Sequence, residues 1–258
     1  ITGSTDVCQN GAAPTITLTG SEGTAPYSFT YSINNGPAQT VISSGNTITL
    51  SVPTFSSGTF TYQLLSVQDA STTTCVSNIT NQTAVIVVNP LPLATISASG
   101  DACFGDINLP TVIFTGMNGT APYTFTYSVD GGINQTVVSS GNTAVIPVPT
   151  NAVGTVTYEL ISVQDASSTS CSNDASGTVS ITVNPLPTAT MSGSTTVCEN
   201  EEYPHILFNG ADGTGNYLFV YNINNGPDKT VQTYGGNTSS VGVPTENPGT
   251  YGYYLTTV

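Results

Sequence analysis

The sequence predicts an all-β protein built as a tandem array of similar domains, and three observations lead to this prediction. Cys8, Cys103 and Cys198 stand at a strict interval of 95 residues, and the segments that follow them recur. Only 6% of the residues are charged, against roughly 25% in ordinary soluble domains, and Thr, Ser, Asn and Gly supply the polarity instead. Apolar and polar residues alternate with a period of two, the pattern of a half-buried strand.

The repeat has the length of a whole domain. The segment GTAPYSFTYSINNG at 23–36 returns as GTAPYTFTYSVDGG at 119–132 and as GTGNYLFVYNINNG at 213–226. A period of 95 residues is longer than solenoid units of roughly 20–50 residues and suits an independently folding domain. We therefore expect three beads on a string: 1–90, 91–185 and 186–258. Because both ends fall inside expected strands, we expect the first bead to lack part of its first strand and the third to be truncated at its C-terminal side.

Each bead is expected to hold about seven strands, the count of an immunoglobulin-like β-sandwich. In the first repeat the alternation and the β-branched runs predict strands at 15–19, 27–33, 39–42, 47–52, 59–67 and 83–88, and an edge strand is predicted just after it at 94–97. The strand at 27–33 is followed by Asn34-Asn35-Gly36, residues that tolerate the positive φ values of a tight hairpin. Asn-Pro-Leu-Pro at 89–92 and 184–187 marks the linkers.

The cysteines predict disulfide bonds. Cys8 and Cys75 bracket the strands of the first repeat, as Cys103 and Cys171 do in the second, so the expected pairs are Cys8–Cys75 and Cys103–Cys171. Cys198 is expected to pair beyond residue 258. The alternative is buried free thiols, since no spacing typical of a metal site is present. Paired cysteines indicate an oxidising compartment and hence an exported protein.

The sequence favours a protein that is not an enzyme and needs no cofactor. A Ser/His/Asp arrangement would depend on His205, which only one repeat carries, and no pair of carboxylates recurs in a form suited to acid–base catalysis. Asp69 and Asp165, each in Gln-Asp-Ala-Ser after a long strand, are candidate calcium ligands. The alternative is a turn capped by its own aspartate, and we favour that interpretation.

The net charge of the chain limits the kinds of partner that it can bind. A net charge of −14 with a single lysine and no arginine excludes a nucleic-acid footprint and disfavours binding to anionic lipid. We therefore expect no nucleic-acid partner and no direct membrane insertion.

The repeat unit resembles a known family. NPLPTATMSGSTTVCEN, GTAPYTFTYSVDGG, SSGNT, VPT and GTVTYELISVQDASSTSC resemble the repeats of giant secreted adhesins of gliding bacteria, the SprB-like gliding-motility adhesins. GTFTYQLLSVQD also looks like the late strand of PKD-type immunoglobulin-like domains. The resemblance covers the whole chain. It implies export by the type IX secretion system, an extracellular location on the bacterial cell surface, and contact with outer-membrane secretion and gliding machinery.

Together these observations predict a stalk segment of a cell-surface adhesin filament, whose nearest partners are other repeats of the same long chain. Two alternatives remain: a surface module that binds polysaccharide, and an accessory region of a secreted enzyme.

Overall fold

The computed structural model describes residues 1–258 and contains only strands, turns and irregular segments. The all-β prediction is confirmed, and the strands form packed sheets as in tandem immunoglobulin-like sandwiches. The chain divides into two compact units. Unit 1 comprises Ile1–Ala98, Thr111–Ile146 and Thr157–Ser180, and unit 2 comprises Ser99–Pro110, Pro147–Val156 and Ile181–Val258. The division into three beads stays a prediction.

Repeat 1 is a sandwich of a large and a small sheet. Its strands are β1 (Thr5–Cys8), β2 (Thr15–Thr19), β3 (Ser28–Ile33), β4 (Gln39–Ile42), β5 (Thr47–Ser51), β6 (Gly58–Gln68), β7 (Val76–Asn78) and β8 (Thr83–Asn89). The large sheet has the order β1-β8-β6-β3-β4 with β7 added beside β6, and β2 pairs with β5 in the small sheet. β1 runs parallel to β8, whereas the other pairs of this repeat are antiparallel. Six of the seven predicted strand regions are strands of this repeat, and β1 and β7 are additional. The seventh region, 94–97, lies in the strand Leu93–Ala98, which begins repeat 2.

The core of repeat 1 follows from the period-two pattern. Ile16 and Leu18 of β2 are fully buried while the threonines between and beside them reach the surface. They share one cluster with Phe29 of β3 and Ile86 of β8, which come from the opposite sheet. Each such side chain stabilises the fold by roughly 1.5–3 kcal/mol on burial.

Repeat 2 repeats this architecture. Its strands are β9 (Leu93–Ala98), β10 (Ala102–Cys103), β11 (Thr111–Met117), β12 (Thr124–Val129), β13 (Gln135–Val138), β14 (Thr143–Pro147), β15 (Gly154–Gln164) and β16 (Ser172–Asn184). The sheet orders are β10-β16-β15-β12-β13 and β14-β11-β9. β10 again lies parallel to the last strand, with Cys103 opposite Asn184.

Repeat 3 contributes two three-stranded sheets. Its strands are β17 (Thr188–Ser192), β18 (His205–Ala211), β19 (Leu218–Ile223), β20 (Lys229–Gln232), β21 (Thr238–Gly242) and β22 (Tyr253–Thr257). The orders are β17-β18-β21 and β20-β19-β22. Phe219 is fully buried, like Phe29 and Phe125 at the corresponding positions, so each of the three repeats has an equivalent phenylalanine in its core.

The hairpin turns have the conformation that the sequence predicts. Asn34 and Asn35 have φ of 50° and 58°, and Asn224 and Asn225 have 49° and 58° in the matching turn of repeat 3. Asparagine tolerates this left-handed region better than most residues, so the Asn-Asn-Gly motif fixes the register of each hairpin.

Candidate functional site: the disulfide junction between repeats 1 and 2

His205, which was considered for catalysis, and Lys229, the only lysine of the chain, both stand at exposed strand positions. His205 begins β18 opposite Gly242, and Lys229 begins β20 opposite Tyr221. No group of three or more His, Cys, Asp or Glu side chains is close enough to hold a metal ion.

The two calcium candidates are caps of their own turns. One oxygen of Asp69 accepts hydrogen bonds from the Ser71 hydroxyl (2.7 Å) and the Cys75 N–H (2.8 Å), and the other accepts from the Thr24 N–H (3.2 Å). Asp165 accepts from the Ser167 hydroxyl (2.7 Å) and from the Thr120 N–H (3.0 Å). In both turns the carboxylate organises the backbone, as the favoured interpretation of the motif expects.

These hydrogen bonds favour the ionised form of Asp69. The Ser71 hydroxyl, followed by the Thr24 N–H, holds the pKa of this carboxyl below its ordinary value. The Asp69 carboxylate is therefore ionised at neutral pH, the form that accepts these hydrogen bonds.

The cysteines pair differently from the prediction. Cys8 is bonded to Cys171, 163 residues further along the chain, with a Cα–Cα distance of 5.5 Å. Cys75, Cys103 and Cys198 are exposed free thiols. The predicted pairs Cys8–Cys75 and Cys103–Cys171 are therefore wrong, because Cys8 and Cys171 bond to each other across the boundary between two repeats.

The parallel pairing of β1 explains why Cys8 cannot reach Cys75. Cys8 lies opposite Asn89, at the end of the sandwich where Gly58 begins β6. Cys75 lies beyond Gln68 at the other end of that strand. β6 has 11 residues, which separate its ends by roughly 33 Å at about 3.3 Å per residue. A disulfide requires Cα atoms within about 7 Å.

Polar contacts surround the bond between the repeats. On repeat 1, the Asn89 side-chain amide donates to the hydroxyls of Thr169 (3.0 Å) and Ser168 (3.3 Å). The Ser168 hydroxyl donates in turn to the Asp6 carboxylate. Asp6 and Cys8 are two residues apart on β1, so both side chains lie on the same side of the strand. We call Asp6, Cys8 and Asn89 the receiving face, and Ser168, Thr169 and Cys171 the inserting turn.

The linker is held by repeat 2 as well. The Asn173 side-chain amide donates to the carbonyl of Pro92 (3.0 Å). Gly177 lies so close to Ile96 that a Cβ on it would come within 2.8 Å of the Ile96 methyl group. β9 and the segment before it are therefore packed against β16.

The disulfide closes a long loop. In the chain-entropy model, cross-linking residues 163 apart stabilises the folded state by about 5 kcal/mol, near the upper end of measured values. Cys171 is fully buried. The site is chemically a structural cross-link with a polar surround.

Sequence reasoning missed this junction although a signal was present. Asp6 and Cys8 recur as Asp101 and Cys103, and Asn89 recurs as Asn184. Recurrence of these three residue types marks one surface, but only the parallel register of β1 with β8 shows that they meet.

Two surface depressions in repeat 3 correspond to filled positions in repeat 1. One is lined by Thr195–Cys198 and neighbouring residues, the counterparts of the β1 residues that β8 covers. The other is lined by Gly213 and Thr214, whose counterparts Gly23 and Thr24 contact Asp69.

Comparison with family models gives no match, and comparison with curated proteins gives none either. Among solved structures, the chain is similar to a marsupial T cell receptor, with 13% identity, a TM-score of 0.46, and coverage of 100% of this chain and 99% of that one. It is also similar to a structure concerning host cell surface retention of a 1.5-MDa bacterial ice-binding adhesin, at 15% identity and TM-score 0.42, covering 93% and 83% of the two chains. A third is the tetra-tandem repeat in the extending region of a large adhesion protein, at 16% identity and TM-score 0.31, covering 94% and 66%. With TM-scores below 0.5, these likenesses assign neither family nor function.

The structure offers no helix with the length and apolar character that crossing a membrane requires.

Proposed function

We propose that this chain is a structural segment of an exported adhesin, a stalk that holds an adhesive tip away from a bacterial cell surface. The observation that carries the proposal is the Cys8–Cys171 bond, which joins two successive sandwich repeats covalently. A cross-link with a polar surround at a repeat boundary serves to keep neighbouring domains together.

The pattern of recurring charges supports a spacer. Between repeats 1 and 2, acidic residues recur as Asp6 and Asp101 and as Asp69 and Asp165. Asp6 lies in the junction, and Asp69 and Asp165 cap turns, so these recurring carboxylates serve structure. A binding site repeated for avidity would be expected to keep polar groups on a free surface of every copy.

The resemblance to adhesins of gliding bacteria gives the proposal its finer form. We place the chain on the outer surface of a gliding bacterium, exported by type IX secretion and moved by envelope machinery. An extracytoplasmic location suits the disulfide, because such bonds persist in oxidising compartments.

Removal of one repeat from the parent filament tests the stalk function. Deleting 91–185 should shorten the surface filament by one repeat length while attachment of cells to a surface persists. Filament length is read by electron microscopy and attachment by counting bound cells. Loss of attachment by cells that still display a shortened, folded filament would contradict the proposal.

One observation favours polysaccharide binding as the second candidate. Tyr234 is 89% exposed and stands in a turn where repeats 1 and 2 have Ser-Ser-Gly-Asn-Thr. Exposed aromatic rings offer an apolar face with a polar tip to a ligand. The test is to apply the 258-residue chain to a glycan array. Binding that Tyr234→Ala abolishes would overturn the spacer proposal in favour of polysaccharide binding, and absence of binding would support the spacer.

A further inference from the structure

The junction between repeats 1 and 2 has two complementary halves, and each half occurs a second time in the chain without its partner. The receiving face is Asp6, Cys8 and Asn89, and the inserting turn is Ser168, Thr169 and Cys171. The unpaired thiols of Cys103 and Cys75 lie in the second copies of these halves.

The receiving face recurs on repeat 2. Cys103 lies opposite Asn184 in the parallel β10–β16 pair, as Cys8 lies opposite Asn89 in the β1–β8 pair. Asp101 stands two residues before Cys103, and its carboxylate accepts a hydrogen bond from the Thr182 N–H (2.8 Å). The strand register therefore puts Cys103 and Asn184 in the arrangement that holds Cys171 one repeat earlier, with Asp101 two residues before Cys103 as Asp6 is before Cys8.

The inserting turn recurs on repeat 1. Thr72, Thr73 and Cys75 replace Ser168, Thr169 and Cys171. The residue before the cysteine has nearly the same backbone in both turns, with φ of 46° at Thr74 and 48° at Ser170. The cysteine carbonyl accepts from the capping aspartate's N–H in both, at 3.0 Å for Asp69 and 2.9 Å for Asp165. The Cys75 thiol is thus presented by a preformed turn.

We propose that Cys103 and Cys75 each form the same kind of disulfide bond as Cys8 and Cys171 do, each with a cysteine of a neighbouring repeat. Cys103 binds the cysteine of an inserting turn on the repeat that follows, and Cys75 binds the cysteine of a receiving face on a repeat that precedes. The partner is a repeat of the same kind. Recognition comes from hydroxyl groups of the inserting turn that face an asparagine and an aspartate of the receiving face. The inference deepens the proposed stalk and rests on its tandem array.

The bond forms by thiol–disulfide exchange with a small disulfide oxidant. The thiolate of one cysteine attacks the oxidant and releases one thiolate, and the second cysteine attacks the resulting mixed disulfide and releases the other. Two thiols lose two protons and two electrons, and the oxidant is reduced to two thiols.

An extension of the chain by its own sequence tests the proposal. Val258 aligns with Val163, so residues 164–184 are appended after Val258 to give repeat 3 an inserting turn with a cysteine equivalent to Cys171. After refolding with oxidised and reduced glutathione and trapping of thiols, non-reducing peptide mapping should show two bonds. One is Cys8–Cys171, and the other joins Cys103 to the appended cysteine.

The matched control is Cys103→Ser in the extended chain. It should leave the appended cysteine open to alkylation and Cys8–Cys171 intact. A bond from the appended cysteine to Cys198, or an appended cysteine that stays reduced while Cys8–Cys171 forms, would overturn the proposal.

A second variant keeps the test decisive if the appended segment does not fold. Residues 188–258 are replaced by a second copy of residues 93–184, so that two copies of repeat 2 follow each other through the natural linker. Cys103 of the first copy should then bond to the cysteine equivalent to Cys171 in the second. Absence of that bond in a protein that carries Cys8–Cys171 would also overturn it. Cell attachment plays no part in either result, so failure here is distinct from failure of the stalk function.

Discussion

At the scale of single residues, the aspartates that cap turns, Asp69 and Asp165, each hold their own turn and a neighbouring loop through hydrogen bonds. Asp165 is buried, and its carboxylate accepts from the Thr120 N–H, which crosses to another loop, and from the Ser167 hydroxyl. Removing a buried acceptor leaves its donors unsatisfied, at a cost of about 1–3 kcal/mol.

We therefore expect Asp165→Ala to lower the free energy of unfolding by about 2 kcal/mol. Urea denaturation followed by circular dichroism measures this change. Asp174→Ala is the control, since Asp174 is exposed on β16 of the same repeat. Equal stability of the two variants would show that the cap does not hold the turn.

Acid should weaken the turn of repeat 1. Hydrogen bonds from Ser71 and from the Thr24 N–H lower the folded-state pKa of Asp69. A lowered pKa means that the stabilisation is present above the unfolded-state pKa of about 4 and is lost as the pH falls through the folded value. Asp69→Asn should therefore lower Tm at neutral pH and flatten the decline of Tm between about pH 5 and 2. A difference in Tm between wild type and variant that stays constant across this pH range would contradict the role given to the Asp69 carboxylate.

At the scale of elements, the close approach of glycine and tyrosine sets the spacing between the sheets. A Cβ on Gly20 would lie 2.5 Å from the ring of Tyr27, and the same distance recurs at Gly116 and Gly210 with Tyr123 and Tyr217. Tyr27 is nearly fully buried, so the ring cannot move aside without opening the core.

Gly20→Ala should thus destabilise repeat 1 by about 1–3 kcal/mol through overpacking. Gly45→Ala is the matched control in the same repeat, because a Cβ there meets no atom within 4 Å. Differential scanning calorimetry of both variants measures the difference in their stability. A Gly20→Ala variant as stable as Gly45→Ala would mean that the sheets can separate freely.

The elements also show what sequence could and could not predict. Strands such as β2 and β4 were predictable to the residue, because alternation and turn residues are local signals. β1 was not, since its four residues show no clear alternation and its partner β8 lies about eighty residues away. The disulfide depends on that distant pairing, and for this reason both predicted cysteine pairs were wrong.

At the scale of the whole molecule, one tyrosine pair recurs in each repeat. Tyr31 and Tyr62, Tyr127 and Tyr158, and Tyr221 and Tyr253 have ring centroids 6.2, 6.1 and 5.9 Å apart. Burial, followed by the charge that the neighbouring tyrosine would carry, raises the pKa of the second member of each pair, Tyr62, Tyr158 and Tyr253.

This arrangement predicts loss of stability in alkali. A raised folded-state pKa means that the stabilisation is complete below the unfolded-state value of about 10 and is lost as the pH rises through the folded value. Tm should therefore fall above about pH 10, and phenolate absorbance should rise together with unfolding. Tyr62→Phe, which cannot ionise, should reduce the fall for repeat 1. A phenolate titration completed before any unfolding would contradict the prediction.

The Cys8–Cys171 bond has a mechanical consequence for a chain pulled from its two ends. Tension that enters at Ile1 reaches Cys8 after seven residues and passes through the sulfur atoms directly to Cys171, so the covalent path omits the polypeptide between them. The 163 residues of sequence separation represent roughly 540–590 Å of extended chain at about 3.3–3.6 Å per residue, and none of it can be drawn out while the bond is intact. Single-molecule pulling should give a contour length shorter by that amount than the same experiment in dithiothreitol. Equal lengths under both conditions would show that the bond does not form. A segment of this kind resists stretching even after its sandwiches unfold.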